Sequence, residues 1–190
     1  LAGFCVGIVD YNKIIDGSSI TRGDSIIGLA SSGPHSNGYS LIRKLIEQNS
    51  VDLDQIINGD KLEKEIIKPT IIYSRPVLDC LEKFEVKSMA HITGGGFQDN
   101  IIRAIPNDFQ AIINTKSWSL PPVFHWIQQE ANIDSDEMLR TFNCGIGYVL
   151  IVKDGLKDSV IQHFQNEDID AYDIGFIDSG EKSVIINHER

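Results

Sequence analysis

The sequence predicts one domain of mixed α and β structure, an α+β fold. β-branched and alternating runs typical of strands recur along the chain, segments with apolar residues at helical spacing lie between them, and no repeat or low-complexity linker interrupts this order. With 190 residues, 42% of them hydrophobic and 23% charged, the composition suits a globular domain.

The first part of the chain is predicted to hold two strands followed by a helix. Residues 3–10 and 25–29 have strand patterns, and a polar turn separates them. Apolar residues recur at helical spacing over residues 39–48, where we expect Ser36 or Asn37 to cap the first turn.

Two further helices are predicted before the next strand. The polar segment 49–59 is predicted to be a loop, and residues 61–68 a short helix that Pro69 ends. Another helix begins near Pro76, because proline suits a first helical turn. Its buried side chains are expected to be Val77, Leu78, Leu81 and Phe84.

The rest of the chain alternates strands and helices. A strand at residues 89–93 leads into the glycines 94–96 and then into a helix. Two consecutive prolines, at residues 121–122, begin another helix, and Asp134 and Glu137 have capping-box spacing for a short one. The remaining predicted elements are strands at residues 109–113, 146–152, 171–177 and 184–186 and a helix at residues 156–164.

Charge and hydropathy argue against several classes of function. Seventeen Lys and Arg against 27 Asp and Glu give a net charge of −10 without any basic cluster, so nucleic acid is not expected as a partner. The longest apolar runs are far shorter than the roughly 20 residues of a membrane span. Three cysteines without C-x-x-C spacing indicate reduced thiols, so we expect a soluble cytoplasmic protein. A start with neither Met nor a basic leader indicates a chain that begins within a longer protein.

The densest polar cluster, SSGPHSNG at residues 31–38, lies between a predicted strand and a predicted helix. Such a loop presents backbone N–H groups, hydroxyls and the imidazole of His35 at a helix N-terminus, where an anion is favoured. A phosphorylated ligand would suit it. The other interpretation is a capping loop whose histidine satisfies a backbone group, and the residues alone leave both open.

Gly94, Gly95 and Gly96 form the second candidate site. Three glycines let the backbone approach a ligand closely, although they also suit a tight turn with positive φ. No Walker A motif occurs, and the glycines after Cys144 precede a strand where a dinucleotide-binding fingerprint requires a helix. The other histidines lack zinc-like spacing, so we expect no metal site in this chain and interpret them as structural or solvated: His91, His125, His163 and His188.

Three longer motifs carry a resemblance to a known family. They are GLASSGPHSNGYSL at residues 28–41, AHITGGGF at residues 90–97 and RTFNCGIG at residues 140–147. Together they closely resemble the C-terminal domain of phosphoribosylformylglycinamidine cyclo-ligase, or AIR synthetase, over nearly the whole chain. The resemblance implies that residues 1–190 form a layered α/β/α domain with a mixed sheet, and that an N-terminal ATP-binding domain is absent from this chain.

The resemblance also implies a reaction. ATP activates the formyl amide oxygen of formylglycinamidine ribonucleotide, an amidine-derived nitrogen attacks, and the imidazole ring of aminoimidazole ribonucleotide closes as ADP and phosphate leave. The absent domain would bind most of the ATP and Mg²⁺ and form a homodimer, so the chain alone would be inactive. His35 would transfer a proton or stabilise an oxyanion. Substrate binding is implied for Ser32, Asn37, Gly94, Gly95, Gly96 and Asn143.

Two segments depart from the family pattern. Ile71 stands where the family has an arginine, and residues 99–103, DNIIR, stand where it has ENIPR, which affects a rim contact and helix packing more than the reaction. Two other interpretations stay open. One is another ATP-using enzyme of the same superfamily, such as selenophosphate synthetase or a hydrogenase-maturation dehydratase, and the other is a non-catalytic binding domain.

Overall fold

A computed structural model describes residues 4–188, and a six-stranded mixed sheet lies at its centre. The strands are β1 (Ser25–Ala30), β2 (Ile56–Ile57), β3 (Asp60–Lys61), β4 (Val86–His91), β5 (Phe109–Asn114), β6 (Ile146–Val152), β7 (Ala171–Ser179) and β8 (Ser183–Asn187). The sheet has the order β4-β6-β1-β7-β5-β8, and β2 pairs with β3 in a separate hairpin. All neighbours in the sheet are antiparallel except β5 and β8, which are parallel.

Helices cover both faces of this sheet. They are α1 (Tyr39–Gln48), α2 (Leu62–Ile66), α3 (Ser74–Leu81), α4 (Gly96–Ile101), α5 (Pro122–Ala131), α6 (Ser135–Thr141) and α7 (Lys157–Gln165). The buried residues of α3 and α7 pack with one face of the sheet, and those of the other five helices pack with the opposite face. The expected α/β/α layering with a mixed sheet is therefore confirmed.

Strand β1 is apolar from Ile26 to Ala30, because both of its faces are covered. Ile26 faces the larger core, whereas Ile27 and Leu29 face the core under α3 and α7. Gly28 faces the larger core without a side chain, since a Cβ there would lie 2.9 Å from Ile174 and 3.0 Å from Ile146. The glycine allows these two side chains to close over the middle of the strand.

A buried ion pair joins the beginnings of β1 and β4. Lys87 Nζ lies 2.8 Å from each carboxylate oxygen of Asp24, and it also donates to the hydroxyl of Thr21 at 2.9 Å. The Asp24 carboxylate accepts a further hydrogen bond from the Thr21 N–H at 2.6 Å. Each charge has several partners, as burial of charge requires. The pair anchors the two strands that flank β6.

The predicted strand at residues 3–10 is wrong for residues 4–10, which form no strand; Gly3 lies outside the described residues. Phe4, Val6 and Ile8 are almost completely exposed. An alternating pattern indicates that a segment can form a strand, but a strand also needs a partner for its backbone N–H and C=O groups. No strand in the described part of the chain pairs with this segment.

Three smaller predictions are also corrected. The segment expected to be a loop, residues 49–59, contains β2 and the Asn58-Gly59 turn of the β2–β3 hairpin, which has positive φ at both residues, as a tight hairpin requires. Leu78 is 61% exposed and does not join the buried face of α3. The N-cap of α1 is Gly38 rather than Ser36 or Asn37, because the ring of Phe142 occupies the place of a Cβ at residue 38.

Within residues 4–188, no helix has the length and apolar character needed to cross a membrane.

We expect Gly28→Ala to lower the free energy of unfolding by about 1–3 kcal/mol, because the added methyl overpacks a full core. Gly155→Ala is the matched control, since a Cβ there meets nothing within 4 Å, and its effect should stay within about 0.5 kcal/mol. Urea unfolding of both variants measures the difference. Equal stability of the two variants would contradict the packing described for β1.

Candidate functional site

The two polar loops predicted from the sequence meet at one end of the sheet, where β1 and β4 end and β6 begins. Both β1 and β4 are antiparallel to β6, so their C-terminal ends flank its N-terminal end. Ser31 N–H donates to the Gly145 carbonyl and Ile92 N–H donates to the Gly147 carbonyl, both at 2.9 Å. These bonds extend the pairing beyond the strands and hold both loops beside β6.

The loop at residues 31–38 lies next to the glycine loop. The side-chain oxygen of Asn37 lies 3.7 Å from the place that a Cβ of Gly94 would occupy. Helices α1 and α4 each begin at a left-handed glycine N-cap, Gly38 with φ 79° and Gly95 with φ 91°, and neither helix has a side-chain cap. Side chains therefore do not cap the first backbone N–H groups of α1, a position that suits an anion, whereas the Gly96 N–H at the beginning of α4 donates to the Thr93 carbonyl at 3.1 Å.

His35 lies within the loop at residues 31–38. Its side chain is 5% exposed, its φ is 57°, and its Nε2 accepts a hydrogen bond from the Ser32 N–H at 3.2 Å. Burial, and to a smaller extent the charge of nearby His91, lowers the pKa of His35 to about 4. The imidazole is therefore neutral at pH 7, and because Nε2 accepts, we assign the proton to Nδ1. Nδ1 is buried and has no hydrogen-bond partner among the described residues.

Three further aromatic rings complete the site, and sequence reasoning missed them. The ring of Tyr73 lies 6.1 Å from those of both His35 and His91 and 5.4 Å from that of Tyr148. Its hydroxyl donates to the Ala30 carbonyl at 2.6 Å. Gly147 permits this arrangement, because a Cβ there would overlap the Tyr73 hydroxyl and lie 2.6 Å from Cε1 of His35.

The interpretation of His91 as structural or solvated is incomplete, because its ring lies in the cluster with Tyr73 and Tyr148. It is the last residue of β4, three positions before Gly94, and its ring stacks on Tyr148 at 5.9 Å. The available signal was its place in the AHITGGGF motif. Spacing could not reveal the contact, because Tyr73 and Tyr148 are distant in the chain.

The side chains of Ser32 and Asn143, which the resemblance implies in substrate binding, are hydrogen-bonded to other groups of the protein. The Ser32 hydroxyl donates to the Pro69 carbonyl at 2.6 Å. Asn143 is 1% exposed; its side-chain oxygen accepts from the Ser31 hydroxyl and the Gly145 N–H, and its amide donates to the Gly33 carbonyl at 2.9 Å. These contacts shape the loop. Direct contact of Ser32 or Asn143 with substrate stays a prediction.

The three glycines of the second loop have different surroundings. Gly95 and Gly96 have positive φ, and a Cβ on Gly96 would overlap the Leu139 carbonyl, so the tight-turn interpretation accounts for both. The Asn100 amide donates to the Gly96 carbonyl at 2.7 Å and holds the turn. Gly94 is exposed, and only Asn37 lies within 4 Å of its Cβ position. Gly94 is thus the glycine whose surface is open to a ligand.

Thiol chemistry at Cys144 and metal binding find little support among the described residues. Burial raises the pKa of the Cys144 thiol to about 12, which keeps it protonated and unreactive at neutral pH. Its carbonyl accepts from the Trp118 indole, which stacks on Phe97 in the core. Across the described residues, no group of three or more His, Cys, Asp or Glu side chains could hold a metal ion.

Fold and site together define an α/β/α domain that presents two glycine-containing loops and a buried neutral histidine at one sheet end. The chain belongs to the family described as AIR synthase related protein, C-terminal domain, which matches residues 21–187. It is 48% identical to a phosphoribosylformylglycinamidine cyclo-ligase of Lawsonia intracellularis over 99% of this chain and 55% of that protein. A cyclo-ligase of Cupriavidus pinatubonensis is 49% identical over 93% of this chain and 51% of its own length. The chain thus spans about half the length of these curated relatives.

Solved structures of low sequence identity share the fold. Thiamine-monophosphate kinase from Stenotrophomonas maltophilia superposes with a TM-score of 0.63 at 15% identity, over 95% of this chain and 55% of that one. E. coli HypE, a hydrogenase maturation protein, superposes with a TM-score of 0.58 at 18% identity, over 90% of this chain and 48% of that one. At such identities the likeness extends to the fold alone.

We expect His35 to weaken the fold in acid. Because its pKa is about 4 when folded and ordinarily 6.5, the unfolded chain takes up the proton first as the pH falls. The stability due to neutral His35 is therefore complete above pH 6.5 and decreases towards pH 4, by an amount of order 1–3 kcal/mol.

Urea unfolding from pH 7.5 to 4 measures this loss. His35→Asn keeps a residue that tolerates positive φ and should have a shallower dependence on pH than the unaltered protein. His125→Gln, at an exposed histidine of α5, is the matched control and should keep the full dependence. An unchanged pH dependence in His35→Asn would show that His35 is not buried in its neutral form.

Proposed function

We propose that this chain, together with an N-terminal half like that of its relatives, forms a phosphoribosylformylglycinamidine cyclo-ligase. The observation that carries the proposal is the 48% identity over 99% of the chain to a protein of that name. The site is consistent with it, because two loops that suit anions face a neutral imidazole at one end of the sheet. The reaction would convert formylglycinamidine ribonucleotide and ATP into aminoimidazole ribonucleotide, ADP and phosphate.

In this proposal the residues of the site have different roles. The N–H groups at the beginning of α1 and the open surface of Gly94 would hold a phosphate group of the ribonucleotide or the activated amide. Ser32, Asn37, Gly95, Gly96 and Asn143 would shape or contact that subsite. Neutral His35 would hold the Ser32 backbone of this subsite in place, because its Nε2 accepts from the Ser32 N–H and its Nδ1 is buried.

Solved structures of the same fold support ATP as the nucleotide of this reaction. Two proteins of the same fold, PurL of T. maritima and AaThiL, were solved with AMPPCP, with TM-scores of 0.51 and 0.56. This agrees with ATP as the phosphate donor. Mg²⁺ would be bound mainly by the N-terminal half, since the described residues of this chain offer no cluster of three acidic, histidine or cysteine side chains. We also propose that the protein acts as a homodimer in the cytoplasm.

Turnover provides the direct test. We expect the protein that carries both halves to form aminoimidazole ribonucleotide and ADP in equal amounts from formylglycinamidine ribonucleotide and ATP. The 190-residue chain alone should form neither product, because the relatives are about twice as long. Both products are measured by chromatography. ADP release without ring closure would favour another enzyme of the superfamily, and ring closure by the chain alone would contradict the division between two halves.

The glycine loop offers a paired test of ligand contact. We expect Gly94→Ala to leave the melting temperature nearly unchanged, because its Cβ has space, yet to raise KM for the ribonucleotide roughly 10-fold, about 1.4 kcal/mol of binding. Gly96→Ala should instead lower the free energy of unfolding by about 3 kcal/mol, since positive φ and backbone overlap both oppose a side chain. A normal KM in stable Gly94→Ala would exclude the loop from the binding site.

A further inference from the structure

We propose that His91 is the general base of the site, the imidazole that exchanges protons with solvent, and that His35 remains neutral behind it. The proposal rests on the proposed function for the identity of the ligand. As the ring-closing carbon–nitrogen bond forms, the attacking nitrogen must lose one proton. Neutral His91 would accept this proton and then release it to solvent, with no change of oxidation state.

The position of His91 supports this role. The Ile92 N–H is bonded to the Gly147 carbonyl, and the Ile92 side chain is buried in the larger core. Because successive side chains of a strand alternate between faces, His91 points to the opposite side, where Tyr73 and Tyr148 lie. From there the chain reaches Gly94 in three residues. His91 is therefore an exposed residue whose ring shares Tyr73 as a neighbour with His35 and which precedes the ligand-accessible glycine by three positions.

Two aromatic rings hold His91 in one orientation. Its ring stacks on Tyr148 with an interplanar angle of 30° and meets the edge of Tyr73 at 67°. Such contacts restrict the rotation of the imidazole while its edge stays accessible to solvent and ligand. A general base must be oriented in this way to reach the proton that it removes.

His35 is less suited to proton exchange. Its Nε2 is bound to the Ser32 N–H, and its Nδ1 is shielded from solvent, so protonation at Nε2 would break a hydrogen bond inside a buried loop. His91 has no such restraint. The titratable groups that face it are His35, Tyr73 and Tyr148, and burial raises the pKa of both tyrosines, which stay neutral near pH 7. Burial also lowers the pKa of His91, which favours the neutral, proton-accepting form.

The pH dependence of kcat in the protein that carries both halves tests the assignment. We expect the unaltered protein to lose activity in acid with an apparent pKa below 6.5, as His91 becomes protonated. His91→Gln should lower kcat 100-fold or more and remove this acid limb. His35→Asn should lower kcat but keep the limb at the same pH, and His125→Gln should change neither. A limb that persists in His91→Gln, or that disappears in His35→Asn, would overturn the proposal.

Chemical modification gives a second measurement that does not depend on turnover. Diethyl pyrocarbonate acylates accessible neutral imidazoles, so His91 should react at least tenfold faster than His35, as followed by peptide mass spectrometry. Formylglycinamidine ribonucleotide should slow the reaction of His91 and leave that of exposed His125 unchanged. Faster modification of His35, or no protection of His91, would overturn the proposal. The kcat measurements separate this proposal from the proposed function. Absence of turnover in the unaltered protein would reject the proposed function. Turnover with an unchanged pH dependence of kcat in His91→Gln would reject only the role of His91 as general base.

Discussion

The antiparallel pairing of β6 with β1 on one side and β4 on the other is the constraint on which the site depends. It places the C-terminal ends of two strands that are distant in the chain on either side of one N-terminal strand end. The two extra backbone bonds, to the carbonyls of Gly145 and Gly147, carry this register into the loops. The buried ion pair of Asp24 and Lys87 anchors the other end of the same strands.

Close approach of backbone and rings gives the loops their shape. Gly147 lets His35 and Tyr73 lie directly on the beginning of β6, and Gly38 lets Phe142 pack against the beginning of α1. Asn143 then uses both ends of its amide to hold the Ser31 hydroxyl and the backbone of Gly33 and Gly145. A buried amide with all its main hydrogen-bond groups satisfied stabilises one loop conformation, which is the form of preorganisation that catalysis requires.

The electrostatic character of the site differs from that of the whole chain. The protein has a net charge of −10, which would repel an anionic ligand at long range. At the site, attraction would come from backbone N–H groups at the beginnings of helices rather than from basic side chains. The two imidazoles differ in their surroundings. Burial keeps His35 neutral, whereas His91 is exposed and can exchange protons with solvent.

Local pattern in the sequence was sufficient for most elements and for part of the site. The bounds of α1 and β6 follow from periodicity and flanking residues, and the Asp134 cap bonds the Glu137 N–H as predicted. The sequence singles out His35 and the three glycines as candidates because polar and glycine residues cluster in single segments. Tertiary structure alone decided that residues 4–10 form no strand and that Gly38 caps α1. It also decided that Tyr73, His91 and Tyr148 form one cluster, in which Tyr73 contacts His35. The physical reason is that strand pairing and ring contacts join residues far apart in the chain, and periodicity within one segment carries no information about its partner.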